Sequence, residues 1–162
     1  MEPGDFWQLI TLGDDREFGR VVDELARREV SAIYGFEDRL AALLYAIDTY
    51  PHARAARARG DWFLYVRCAV VADGPSAYEE VLAEPRKLRR YATREAEHLL
   101  SVASTAYERK TGLPWTHEAP YDYESGSNAE GWAGSEPPLW IRAAVGVARL
   151  LNRGGTSEPP GR

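Results

Sequence analysis

Cysteine is nearly absent from this 162-residue chain: Cys68 stands alone, which rules out an internal disulfide framework and a thiolate metal cluster. That usage points to a reducing, cytoplasmic compartment. Lysine is almost as scarce, present only at Lys87 and Lys110, so the other basic residues are arginines. An excess of positive charge is lacking too, since 20 Lys and Arg face 25 Asp and Glu for a net charge of −5. Non-specific phosphate binding depends on clustered cations and counterion release, so no generic nucleic-acid affinity is expected. Two short basic patches, Arg54/Arg57/Arg59 and Arg86/Lys87/Arg89/Arg90, are flanked by acids or apolar residues and read as solvated surface. No apolar run approaches the ~18 residues of a membrane span. Met1–Asp5 is acidic where a leader would be basic, so neither membrane attachment nor export is expected.

Catalytic and metal constellations are thin. Glu95 and His98 have i,i+3 spacing on an expected helix, which is half of a carboxylate-bridged dimetal motif, and no second copy exists. His52 and His117 fall in connectors without zinc spacing, so neither metal nor cofactor is expected. Cys68 lies inside an apolar run and reads as a buried, inert thiol. Ser125 and Ser127 lack the strand-to-helix turn of a nucleophile elbow, and Gly126-Ser127-Asn128 reads instead as turn chemistry.

What is present is helical periodicity. Asp5 caps a short helix carrying Phe6, Trp7, Leu9 and Ile10. Asp14, with Glu17 three residues on, starts a long element from about Asp15 to Asp48. Its apolar positions Val22, Leu25, Ile33, Phe36, Leu40, Leu43 and Ile47 recur at helical steps, interrupted at Glu29. Gly35 marks a kink or the close approach of another backbone, and Pro51 ends the element. The arginine-alanine stretch 49–60 is helical or loose. The apolar run WFLYVRCAVVA, broken only by Arg67, reads as a central buried helix rather than a strand, with Trp62, Phe63 and Tyr65 in the core. Ser76 caps a short helix stopped at Pro85, and Thr93 caps another stopped at Gly112. Pro138 to Arg153 reads as a C-terminal helix with an apolar face at Leu139, Trp140, Val147 and Leu151, and 154–162 as a disordered tail. The expectation is one all-α domain over 1–153, of five to six helices, with a long irregular loop before the last.

That loop, 113–136, is the most informative stretch. It has no helical or strand period, yet it carries Trp115, Tyr121, Tyr123 and Trp132. Disordered segments are poor in aromatics, so this one is expected to fold down onto the core or onto a ligand. Tyr121, Asp122, Tyr123, Glu124, Asn128, Glu130 and Trp132 are the candidate site, because aromatic faces beside carboxylates suit a cationic or amphipathic guest.

The segments GFEDRLAALLYAIDT (35–49), WFLYVRCAVVADGPSAYEEVLAEPRKL (62–88), AYERKTG (106–112) and YESGSNAEGW (123–132), with the Phe6-Trp7 pair, resemble the bacterial family called domain of unknown function 4240. The resemblance covers about residues 5–133 and leaves out the 137–153 helix. It implies a helical fold, and the family's fusions to other small bacterial domains hint at regulatory or interaction roles. It assigns no activity and no catalytic residues. The leading expectation is a non-enzymatic binding or regulatory protein whose partner is another protein, acting through the loop and the last helix. The alternatives are a small helical hydrolase or transferase using loop carboxylates as acid and base, and a self-associating protein held by the last helix.

Overall fold

The structure is a computed structural model that describes residues 1–13 and 18–133. Asp14 and Glu17, expected to open the long helix, and the helix expected at 137–153 lie outside the described residues. The all-α class holds, with no strand among the described residues, but the helices are shorter and more numerous than the expected five to six. Among the described residues seven α-helices run Pro3–Ile10 (α1), Gly19–Arg27 (α2), Val30–Ala46 (α3), Tyr50–Ala56 (α4), Gly60–Ala72 (α5), Pro75–Ala83 (α6) and Val102–Thr111 (α7). Two 3-10 helices, Pro85–Tyr91 and Glu97–Ser101, stand between α6 and α7.

The expected single helix from Asp15 to Asp48 is two helices. Arg28 and Glu29 take extended backbone, at ψ 169 and 151. A continuous helix would carry the Glu29 carboxylate into the buried stripe, which costs heavily without a partner; the break leaves Glu29 exposed. Pro51 does not end this element either. The chain leaves the helix at Ile47, and Pro51 starts α4, where its missing N–H removes no hydrogen bond. Gly35 is a close approach: a Cβ there would lie 2.6 Å from the Met1 nitrogen.

Burial organises the bundle around α5. Phe63, Val66, Cys68, Val70 and Val71 are fully buried there, in one core cluster with Ile33, Phe36, Leu40 and Leu44 of α3. Trp62 is a correction to the expected core, being 41% exposed with its indole N–H donating to the Ala92 carbonyl at 3.1 Å. Around α5, α2 packs on α7 and α4 packs on the 3-10 helix Pro85–Tyr91. Ser76 and Thr93 do not cap helices as expected. Gly74 precedes α6 with Pro75 in its first turn, and residues 85–101 wind mostly as 3-10 helix. Glu95 therefore lies ahead of the helix that holds His98, and its carboxylate accepts from the Glu97 N–H at 3.2 Å. Among the described residues no group of three or more His, Cys, Asp or Glu is placed to hold a metal ion. None of the described helices is long and apolar enough to cross a membrane.

Candidate functional site

The irregular segment after Gly112 lies down on the bundle as a strap, and its anchor is a buried ion pair. Asp48 follows the end of α3 and Arg67 sits in the middle of α5; both are wholly buried, 4.0 Å apart. Neither charge could be desolvated this way without partners, and the strap supplies them. The Asp48 carboxylate accepts from the N–H groups of Gly126 at 2.9 Å and Asn128 at 3.1 Å. It also accepts from the Trp132 indole at 3.2 Å, while the Ser127 hydroxyl, 3.4 Å away, donates to the nearer Asp122 carbonyl. Arg67 donates to the carbonyls of Leu44 at 2.8 Å and Tyr123 at 2.9 Å, and to the Ser125 hydroxyl at 3.1 Å. Its guanidinium carbon lies 4.7 Å from the centre of the Phe63 ring, and its Nε has no hydrogen-bond partner among the described residues. Burial pushes the guanidinium pKa down and Asp48 opposes the shift, but an arginine stays charged throughout.

Local chemistry explains why these residues wrap a carboxylate. Gly126 adopts φ 97, a left-handed conformation that lets successive N–H groups converge on one anion. At Gly131 a Cβ would lie 2.7 Å from the Thr49 methyl and 2.9 Å from the Asp48 carbonyl, so only glycine lets the strap close. The Asn128 side chain completes the clasp, donating to the Tyr45 carbonyl at 3.0 Å and accepting from Gly131 N–H at 2.9 Å.

The seven candidate residues fall into two sets. Trp132 and Asn128 are buried, and Tyr123 is half-buried with its hydroxyl donating to the Glu37 carboxylate at 3.3 Å. These three hold the strap to the core. Tyr121, Asp122, Glu124 and Glu130 are exposed. Tyr121 leans on Tyr45 with ring centres 5.1 Å apart, and Asp122 accepts from Glu124 N–H at 2.9 Å, an Asx turn on the outer face. The exposed carboxylates do not meet in a buried acid-base pair. Cys68 is inert as expected, its thiol pKa pushed up to about 12 by burial.

Two further clusters, one around His117 and one around His52, lie outside the seven candidate residues. His117 stacks on Tyr34 with ring centres 4.4 Å apart, and its Nε2 lies 2.7 Å from the Asp38 carboxylate. Trp115 packs edge-on to Tyr34, Tyr107 and His117. Next to Asp38, Glu37 is buried; desolvation raises its carboxyl pKa, the Tyr123 hydroxyl and His117 pull it back, and Asp38 adds to the rise. Burial likewise lowers the pKa of His52, with its Val81 hydrogen bond opposing. Its Nε2 lies 3.0 Å from the Val81 carbonyl and its Nδ1 2.7 Å from the Thr49 hydroxyl. That pairing makes the neutral ring with a proton on Nε2 the form that fits.

Comparison with known proteins gives a family and no function. The model of the family described as protein of unknown function (DUF4240) matches residues 1–109, and the chain belongs to that family. The match takes in Phe6-Trp7, 35–49 and 62–88 of the expected resemblance, while the segment 123–132 lies beyond it. No curated protein and no solved structure matches the chain.

Proposed function

We propose that this is a non-enzymatic binding protein that receives a basic segment of another protein on the outer face of the strap. One observation carries the reading. Between Leu113 and Ala133 the chain has Glu118, Asp122, Glu124 and Glu130, all exposed, and no lysine or arginine. The same segment exposes two large apolar side chains, Tyr121 at 46% and Leu113 at 58%. Anionic and aromatic groups together suit arginine and lysine side chains, through charge pairing and attraction to ring faces. The inner face is already fastened to Asp48, Arg67 and Glu37, so a partner meets a pre-formed surface with little ordering cost. The hydrolase or transferase alternative requires paired carboxyls in a concave site, and the exposure of Asp122, Glu124 and Glu130 favours the binder.

Cross-linking in native lysate, with the linked peptides sequenced, tests it. The expected product joins the strap to a lysine- or arginine-rich segment, weakens with added salt, and is lost in Asp122→Asn/Glu124→Gln/Glu130→Gln. That variant keeps the wild-type melting temperature because all three side chains are exposed. Links confined to other faces, or an undiminished product from the variant, would overturn the proposal.

A further inference from the structure

The two basic patches that read as separate solvated surfaces are brought together by the fold. The 3-10 helix Pro85–Tyr91 packs along α4, leaving a groove of about 850 Å³ between them. Arg54 and Arg57 line it from one side and Arg86 and Arg89 from the other, with Tyr50 and Pro85 among its walls. Local periodicity sorts the charges. A 3-10 helix has 3.0 residues per turn, so residues three apart eclipse one another. Arg86 and Arg89 therefore share the groove face. Lys87 and Arg90 share the next face and go to acids, Lys87 to Glu80 at 3.6 Å and Glu84 at 3.8 Å, Arg90 to Glu80 at 3.1 Å. None of the four groove arginines is ion-paired with another described residue.

We infer that this groove is a binding site for a nucleotide carrying two or more phosphates. Four guanidiniums around one cleft repel one another, and anionic guests relieve that repulsion. Each presents a planar fork of donors matched to phosphate oxygens. Two arginine pairs on opposite walls call for two or more anionic groups in one molecule. The volume is that of a small-molecule site. Tyr50 supplies an aromatic wall for a base, and it is held in place: its N–H donates to the Gly131 carbonyl at 3.1 Å and its ring meets Trp132 edge-on, centres 6.0 Å apart. Arg57 closes α4 at φ 54, a left-handed conformation costly for a side chain other than glycine, so strained backbone sits at the rim of the groove.

Calorimetric titration of the full chain at low salt tests the inference with ATP, inorganic triphosphate, adenosine and a short oligothymidylate as probes. ATP should bind about tenfold or more tighter than triphosphate, and adenosine should give no measurable heat. Arg54→Gln/Arg89→Gln should weaken ATP by about a hundredfold or more, since it removes a charged fork from each wall. Arg57→Gln/Arg86→Gln should do the same, which guards against one pair failing to fold. Lys87→Gln/Arg90→Gln, on the neighbouring face, should stay within about threefold of wild type. Absence of ATP binding, or equal loss in all three variants, would overturn the site. Triphosphate as tight as ATP, with no effect of Tyr50→Ala, would overturn the nucleotide assignment. Oligothymidylate binding as tightly as ATP would overturn the small-molecule assignment.

Discussion

Replacing Asp48 by alanine tests the clasp most directly. The substitution leaves Arg67 as a wholly buried cation whose counter-charge is gone, and takes the Asp48 acceptor away from the N–H groups of Gly126 and Asn128 and from the Trp132 indole. A hydrogen bond to a charged group contributes about 1.5–3 kcal/mol, so the three shorter contacts amount to roughly 4.5–9 kcal/mol before relaxation. Water can reach the part-buried Gly126 donor once the strap loosens, which returns part of that. A net loss of about 3–5 kcal/mol remains, the range found when one partner of a buried pair is removed. Domains of this size are stable by only about 5–15 kcal/mol, so the variant should be marginal. Urea denaturation gives the global loss, and amide hydrogen exchange at Gly126 and Asn128 shows whether the strap opens first. Arg67→Met in the same background should restore at least about 2 kcal/mol by removing the stranded charge. A loss below about 1 kcal/mol for Asp48→Ala, or strictly additive effects in the double variant, would refute the claim that the pair and the strap form one unit.

The other predictions concern protonation and backbone strain. Glu37 has a folded-state pKa raised mainly by burial above its ordinary 4.5. An acid shifted upward contributes stability below its unfolded pKa and loses it as pH rises through the folded value. Glu37→Gln should therefore raise the urea midpoint at pH 7 and give no gain at pH 4. His52 is shifted the other way, its pKa lowered from 6.5 chiefly by burial, so its contribution is present above pH 6.5 and lost as pH falls below it. Melting curves from pH 7.5 to 5.5 should show that fall, and it should shrink in His52→Gln. Arg57→Gly relieves the left-handed residue at the end of α4, so its melting temperature should hold or rise by up to about 1 kcal/mol worth of stability, while ATP affinity drops.

Much of this fold is legible from short-range pattern. The apolar run around Cys68 is a buried helix, Gly35 is a point of close approach, and the aromatic segment after Gly112 folds onto the core. Errors gathered where a regular period hid a change of direction. The stripe from Val22 to Ile47 keeps helical steps across Glu29, and only the cost of burying that carboxylate reveals the break. Arg67 did carry a readable signal, because a lone charge in an apolar run must find a buried partner. Which partner it finds was not readable, since Tyr123 and Ser125 are 56 and 58 residues away along the chain. The arginine groove is similar: each pair shows its i,i+3 spacing, but their meeting depends on how α4 packs against the 3-10 helix.

The clasp also bears on where this molecule can be cut. The family match stops at residue 109, and Asp48 and Arg67 both lie inside it. Apart from the Leu44 carbonyl, the groups that satisfy them, from the Tyr123 carbonyl to the Trp132 indole, lie outside it. A fragment ending at residue 109 would expose an ion pair built for a dry interior and uncover Phe63, against which Trp132 packs edge-on with ring centres 6.4 Å apart. The matched region and the autonomous folding unit are therefore different lengths of chain, and the shortest self-sufficient piece reaches at least to Trp132.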